Sequence, residues 1–322
     1  MAGSVPVAPR RAALKLAGAG LGAVAAGAVS LPSASAAAGD ARPVAATGGQ
    51  LPVNRIQAIL QAEGSVADGV LAVGIDRADI GPVTLRGVPI GSSFEINGDL
   101  TFQPLRPGHA FFNGDLPLKN DEINPVIDAI LDNGLVFQAE HQHFYDFDPP
   151  VWFIHFRGQG HPLTLAKAVH RVLKATATQL PQQAPANPKT PFDEQELKRI
   201  LHGYDVAVSD GGVVTVFIAR RNPIVIDGVR VRPAANIATN VSFQPLNAAG
   251  THAAAAPDFA LEAGEVDRLM RVMRATHWDI GCLYNQETDE HPQLYFSHQF
   301  KTGNPYELAR QIRRGLDHTN TR

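Results

Sequence analysis

The chain has 322 residues, of which 44% are hydrophobic and 18% are charged, and its formal net charge is −3. This composition is typical of a globular protein with a buried core, and the length predicts about two domains. A near-neutral charge without a basic block argues against nucleic-acid binding. The single Cys excludes both a disulfide framework and a zinc or iron–sulfur site made of several Cys.

The first 38 residues predict an export signal of the twin-arginine type. Arg10 and Arg11 precede an uncharged, Ala- and Gly-rich stretch over residues 16–39, and small residues at 34–36 suit a cleavage site. The alternative is an uncleaved signal that acts as a membrane anchor, although Ala and Gly contribute little to insertion. Because the segment has no Cys, we expect a secreted or extracytoplasmic protein that is not a lipoprotein. Residues 39–50 are predicted to be a flexible leader.

The remainder of the chain is an internal duplication. Residues 118–176 align without gaps onto residues 261–319 at an offset of 143, and upstream the offset becomes 141. A period of this length indicates a duplicated domain rather than a short solenoid repeat. Copy 1 is therefore assigned to residues 51–178 and copy 2 to residues 192–319, with a Pro-, Gln- and Ala-rich linker at 179–191.

Each copy reads as strands mixed with single helices. Hydrophobic periodicity, caps and turn residues predict these elements in copy 1, in chain order: a helix at 53–62, strands at 69–75, 83–90, 94–102 and 110–116, a helix at 121–133, strands at 135–144 and 151–156, and a helix at 162–174. This order predicts an α+β fold with a largely antiparallel sheet and about three helices per copy.

Three histidines in copy 1 form the clearest candidate site. His141 and His143 point to the same face of one predicted strand, because side chains alternate along a strand. If the following turn centres near Asp148, His155 lies directly across from His141. Three imidazoles on a rigid sheet, with a fourth position open, are typical of a site for zinc or another divalent metal. The alternative is that these side chains are merely exposed, or packed beneath aromatic residues.

Acidic residues near this hairpin are weaker candidates. Glu122 starts the preceding helix and could be a fourth ligand or a general base, but a carboxylate that interacts with the helix dipole is the simpler interpretation. Asp146 and Asp148 are explained by the turn itself. Arg77 and Asp79 are interpreted as a surface ion pair.

Copy 2 is an internal comparison for the three histidines. Tyr284 and Gln286 replace His141 and His143, and only His298 remains as the counterpart of His155. If the three histidines bind metal, copy 2 has lost the site and serves as scaffold, lid or partner. Otherwise the three were never functional and copy 2 drifted neutrally.

Two functions follow from these residues. The first is a metal-binding protein that, if catalytic, is a metal-dependent hydrolase with metal-bound water as the nucleophile and Glu122 as a base. The second is a non-catalytic envelope or secreted binding module, in which exposed aromatics (Tyr145, Phe147 and Trp152) contact a polysaccharide, a peptide or a partner protein. The ligand class stays open between a small molecule and a cell-envelope polymer.

The order of motifs in copy 1 resembles a known family, the DUF1259 domains of unknown function related to the mycobacterial LppY and LpqO lipoproteins. The matching segments are residues 113–115, 121–127, 139–144, 152–156 and 158–162. Copy 2 resembles the family in its central helix, the His298 strand and the closing helix, but departs from it at both residues of the H-x-H pair. The resemblance implies an envelope or extracellular location and supplies no activity. Unlike those lipoproteins, this chain has no Cys in its signal segment.

Overall fold

The computed structural model describes residues 49–183 and 188–321. The predicted export signal at 1–38 lies outside these ranges, as do most of the predicted leader and part of the predicted linker. The described residues form two halves that belong to one compact unit and repeat the same order of elements. None of the helices in these ranges combines the length and the hydrophobicity that a membrane span requires.

The first half contains three helices and nine strands. In chain order they are α1 (Val53–Leu60), β1 (Gly64–Ala67), β2 (Val70–Asp76), β3 (Val83–Leu85), β4 (Val88–Ile90), β5 (Asn97–Arg106), β6 (His109–Leu118), α2 (Ile123–Asp132), β7 (Val136–His141), β8 (Phe147–Asp148), β9 (Trp152–Gly160) and α3 (Pro162–Leu173).

The second half repeats this order. Its elements are α4 (Glu194–Leu201), β10 (Asp205–Val208), β11 (Val214–Ile218), β12 (Ile224–Ile226), β13 (Val229–Val231), β14 (Thr239–Pro245), β15 (Ala253–Leu261), α5 (Ala263–Ala275), β16 (Asp279–Ile280), β17 (Glu290–His291), β18 (Tyr295–Gly303) and α6 (Pro305–Leu316).

The two halves have the same sheet topology. Each contains a six-stranded antiparallel sheet, in the order β1-β2-β5-β6-β9-β7 and β10-β11-β14-β15-β18-β16. Each also has a small three-stranded sheet, β4-β3-β8 and β13-β12-β17. With three helices in each half, this arrangement confirms the predicted α+β class and the duplication.

The large sheets are buried on both faces. On β6, Ala110 and Phe112 belong to the core beneath the helices of the first half. Phe111, between them, points to the opposite face and belongs to a core that includes Phe296 of the second half. Asp115 shares the face of Phe111 by the alternation along the strand. The layers therefore run helix, sheet, sheet, helix, and the odd-numbered positions of β6 face the second half.

Several strand bounds differ from the predictions, and two of these differences matter for the site. The strand predicted at 94–102 begins only at Asn97, because residues 92–95 form a turn in which Glu95 has a φ of 64°. The strand predicted at 135–144 ends at His141, so His143 lies in the loop that follows β7. Loop backbone can turn these two side chains away from the regular alternation of a strand, toward the space between the sheets.

Candidate metal centre

The hairpin of β7 and β9 brings His141 and His155 together, but in a different register from the expected one. His155 pairs with Ala139, and His141 pairs with Phe153, after an irregularity between residues 137 and 139. The expectation that His155 lies directly across from His141 is therefore wrong by two residues. A shift of two preserves the face of the sheet, and the Nε2 atoms of His141 and His155 lie 3.0 Å apart.

The third histidine joins this pair from the loop after β7. The ring nitrogens offered by His141, His143 and His155 all lie within 4.8 Å of one another. The His143 ring is stacked between Phe153 and His298, with ring centroids 3.3 Å and 3.6 Å away. The structure thus combines both sequence interpretations, because the three imidazoles converge and two of them, His141 and His143, are also packed against aromatic rings.

Hydrogen bonding leaves the buried imidazoles poorly satisfied. His143 is only 5% exposed, and neither of its ring nitrogens has a partner; the Nδ1 atom of His141 has none either. Burial lowers the pKa of His141 to about 4, and burial with the neighbouring imidazoles lowers the pKa of His143 and of His155 well below the ordinary value. All three are neutral near pH 7, which is the form that coordinates a metal ion.

The second half also contributes to this cluster, which sequence reasoning missed. His298 on β18 lies against His143, and Tyr284 stacks on His141 with ring centroids 3.5 Å apart. The Sγ atom of Cys282 lies 3.3 Å from Nδ1 of His298, so that nitrogen has a partner and Nε2 is left for another ligand. The available signal was the repeat itself, since His298 alone persists where the other two histidines are replaced.

Three carboxylates surround the imidazoles. The Oε2 atom of Glu95 lies 3.7 Å from Nδ1 of His143 and 3.9 Å from Nε2 of His298. Asp115 and Asp258, which are counterparts at the offset of 143, lie 3.9 Å and 3.8 Å from the Nε2 atoms of His155 and His298. Burial raises the pKa of Asp258 to about 8 and the pKa of Glu95 and of Asp115 well above their ordinary values.

A cavity of about 390 Å³ between the two sheets reaches this cluster at His143, His298 and the three carboxylates. Its wall contains amide and hydroxyl side chains from both halves and, among the residues that the structure describes, no Lys or Arg. The ionisable side chains that line it are Glu95, Asp99, Asp115, His143, Asp258 and His298. Such a wall favours a cation or an uncharged polar ligand over an anion.

Glu122 is not brought to the three histidines. Both of its carboxylate oxygens accept hydrogen bonds from Nη2 of Arg77, at 2.8 Å and 2.9 Å. Arg77 is fully buried and also pairs with Asp79, so the interpretation of Arg77 and Asp79 as a surface ion pair is wrong. Arg220 and Glu265 form the same pair in the second half, with Nη1 and Oε2 2.8 Å apart. A pair that recurs where two of the three histidines are absent favours a structural role for Glu122.

The aromatic side chains expected to form a binding surface are only partly exposed. Tyr145 is 63% exposed, whereas Phe147 is buried in a core cluster. Trp152 is half-buried, and its Nε1 atom donates a hydrogen bond to Asn120. These three side chains therefore do not form a shared exposed surface.

Comparison with known proteins identifies a family but no individual relative. Residues 54–175 and 195–318 each match a family model described as a domain of unknown function (DUF1259). No curated protein and no solved structure matches the chain. The two matched segments coincide with the two halves of the structure.

Proposed function

Because the chain belongs to the DUF1259 family, as two tandem copies of a domain of unknown function, we infer its function from its own site. We propose that the chain binds a divalent metal ion through His141, His143 and His155. The observation that carries the proposal is the convergence of these buried ring nitrogens, several of them without a hydrogen-bond partner. Buried polar groups are normally satisfied, and an unsatisfied one costs about 1–3 kcal/mol. The nitrogens without a partner are Nδ1 of His141 and both ring nitrogens of His143, and an ion bound to His143 would satisfy one of the two on that ring.

Zinc fits this set of ligands. Three neutral imidazoles with an open fourth position suit Zn²⁺, and nitrogen ligands also suit Cu²⁺, Ni²⁺ and Fe²⁺. The rigid strands β7 and β9 hold two of the histidines, while Phe153 and His298 restrict the ring of the third. Sites on packed strands keep their geometry better than sites on mobile loops.

Metal content tests this proposal directly. The full chain is loaded with Zn²⁺, freed of excess metal and analysed by elemental mass spectrometry, beside the double variant His141→Ala/His143→Ala. The matched control is His202→Ala/His252→Ala, which removes two exposed histidines outside the cluster. We expect bound zinc in the wild type and the control but not in the cluster variant. A wild-type content below about 0.2 equivalents contradicts the proposal.

We extend the proposal to a reaction class, metal-dependent hydrolysis. A divalent ion at this position would supply an activated water. The cavity reaches this position at His143 and Asp115. Asp115 is better placed than Glu122 to act as the base, because its Oδ1 atom is buried without a partner 3.9 Å from Nε2 of His155. The absence of Lys and Arg from the cavity wall favours uncharged or cationic substrates.

Turnover of small probes separates this enzyme from a binding module. The zinc-loaded chain is assayed with an uncharged nitrophenyl ester and with nitrophenyl glycosides, beside Asp115→Asn and the exposed control Asp121→Asn. For a lost general base we expect the rate to fall by about 10²- to 10⁴-fold in Asp115→Asn with its zinc retained. No zinc-dependent turnover of any probe by the wild type would favour the non-catalytic module.

We also propose that the protein is exported by the twin-arginine route and works outside the cytoplasm. The support is sequence only, namely Arg10-Arg11 and the small residues at 34–36. Changing both arginines to lysine should retain the unprocessed chain in the cytoplasm, as measured by fractionation and intact mass. Export of that variant at the wild-type level contradicts this route.

A further inference from the structure

We propose a second divalent-metal position, formed by Glu95, His143 and His298, which makes the site a two-metal centre shared by the two halves of the chain. This inference rests on the proposed function, because His143 is common to both positions. It goes further in assigning ligands from the second half and a second ion.

The distances define this position independently of the first one. One ligand atom from each of Glu95, His143 and His298 lies within 4.8 Å of the other two. The individual separations from Oε2 of Glu95 are 3.7 Å to Nδ1 of His143 and 3.9 Å to Nε2 of His298. Asp258 offers a fourth ligand, since its Oδ2 atom lies 3.8 Å from Nε2 of His298. Two nitrogens and two carboxylate oxygens form a suitable set for Zn²⁺ or Mn²⁺.

The unpartnered ring of His143 points to a ligand on each of its sides. A histidine that binds one metal ion normally donates its other ring N–H to a carboxylate or a carbonyl. His143 is buried, and neither Nδ1 nor Nε2 has such a partner. Nδ1 faces Glu95, and the ring also belongs to the group with His141 and His155. We therefore assign one nitrogen to each ion, with the ring proton released to solvent when the second ion binds.

The charges of the cluster match two divalent ions. Glu95 and Asp258 are buried and the side chain of Asp115 is 14% exposed, and in the described part of the chain the ion pairs of all three are with histidines alone. Buried carboxylates without a cationic partner are costly. Three carboxylates together with a deprotonated, bridging His143 carry four negative charges, which two divalent ions neutralise. One ion bound to three neutral imidazoles would leave the carboxylates near His298 without a cation.

In the second half, the residues that correspond to Glu95 and His143 are joined by a hydrogen bond. At the offset of 141 the counterpart of Glu95 is Asn236, and both residues adopt a positive φ, 64° and 62°. At the offset of 143 the counterpart of His143 is Gln286. Here the Nε2 atom of Gln286 donates a hydrogen bond of 2.8 Å to the carbonyl oxygen of Asn236. An internal hydrogen bond thus replaces the contact between Glu95 and His143, and the second position has no counterpart at the corresponding residues of the second half.

This arrangement explains why His298 persists in a half that has lost the other two histidines. Glu95 and His143 come from the first half, and His298 and Asp258 come from the second. The second half would therefore act as a ligand donor, beyond the roles of scaffold or lid. The retained ligand is placed by β18, which pairs with β15 through His298 and Asp258 themselves.

Metal stoichiometry and magnetic coupling test the second position. The full chain is titrated with Cu²⁺ and followed by elemental analysis and electron paramagnetic resonance, because an imidazolate bridge couples two copper ions and reduces the signal. We expect two equivalents and a coupled spectrum in the wild type. Glu95→Gln and His298→Ala should each bind one equivalent with an uncoupled signal, and His291→Ala, which removes an exposed histidine of the second half, should behave as the wild type.

The other possible results distinguish the second metal position from the three-histidine site of the proposed function. One equivalent in the wild type, unchanged in Glu95→Gln and His298→Ala but lost in His141→Ala, overturns the second position and leaves the proposed function intact. No bound metal in any form overturns both. Glu95→Gln is nearly isosteric and keeps the fold, so two coupled equivalents in that variant also overturn the second position, even if His298→Ala fails to fold.

Discussion

At the scale of single residues, the burial of His143 has a cost in the metal-free chain. Its ring is 5% exposed, stacks between two rings and leaves two nitrogens without hydrogen bonds. Stacking recovers part of this cost, since aromatic pairs contribute about 0.5–1.5 kcal/mol beyond burial. The desolvation of two polar atoms nevertheless makes this position a poor choice for stability alone. The presence of a histidine here is best explained by ligand binding.

Replacing His143 with an apolar side chain should therefore separate stability from metal binding. We expect His143→Leu in the presence of a chelator to keep the wild-type free energy of unfolding or to gain about 1 kcal/mol, because it removes unsatisfied polar atoms. The same variant should show no stabilisation by Zn²⁺. Urea denaturation with and without metal measures both quantities. A loss above about 2 kcal/mol in the chelated state would show that the ring is needed for packing.

A second residue-scale prediction concerns the buried arginine pairs. Removing Arg77 leaves Glu122 buried without its charge partner, which typically costs about 3–5 kcal/mol. Arg220 holds Glu265 in the same way. We expect Arg77→Met and Arg220→Met to lose similar stability in chemical denaturation and to keep the wild-type metal content when folded. If Arg77→Met alone lost its metal, the result would indicate that Glu122 contributes to metal binding.

At the scale of elements, the local patterns predict most of the framework. Alternation and caps locate the main strands and all three helices of the first half within a few residues, because these signals are local. The shared face of His141 and His155 survives the irregularity in β7, since a shift of two residues keeps the face. Glu95 could not be found in this way. It falls within the strand predicted at 94–102, whereas in the structure it lies in a turn and has a left-handed backbone.

The turn after β2 carries a pH-dependent contribution to stability. Burial alone raises the pKa of Asp79, but hydrogen bonds from Arg77 and Lys119 outweigh it and lower that pKa to about 2. A lowered pKa in the folded state gives stability that is fully present above the unfolded value near 4 and is lost as the pH falls toward 2. We expect Asp79→Asn to be less stable than the wild type by about 2 kcal/mol at pH 7. The difference should vanish near pH 2, as followed by urea denaturation at several pH values. A constant difference across this range would contradict the assignment.

At the scale of the whole molecule, the functional site depends on contacts that no local pattern contains. Polar contacts also cross between the halves, since the Nδ2 atom of Asn113 lies 2.7 Å from Oε1 of Glu287. The sequence separation between His143 and His298 exceeds one repeat, so periodicity cannot bring them together. Only the comparison of the two copies points to His298, and only the stacking of the two large sheets places it.

A metal ion held by both halves should stabilise both of them, and the two tryptophans can report this separately. Trp152 lies in the first half and Trp278 in the second, and the chain has no others. Trp152→Phe leaves a probe in the second half, and Trp278→Phe leaves one in the first. At free Zn²⁺ about 100 times the dissociation constant, we expect both probes to show the same stabilisation of about 2.7 kcal/mol over the chelated state. Equal shifts follow because ligands from both halves must separate when either half unfolds.

In His298→Ala the metal should stabilise only the half that contains Trp152. Fluorescence-detected denaturation measures each shift, and a metal-independent transition at Trp278 in the otherwise unchanged chain would contradict a site shared by the two halves.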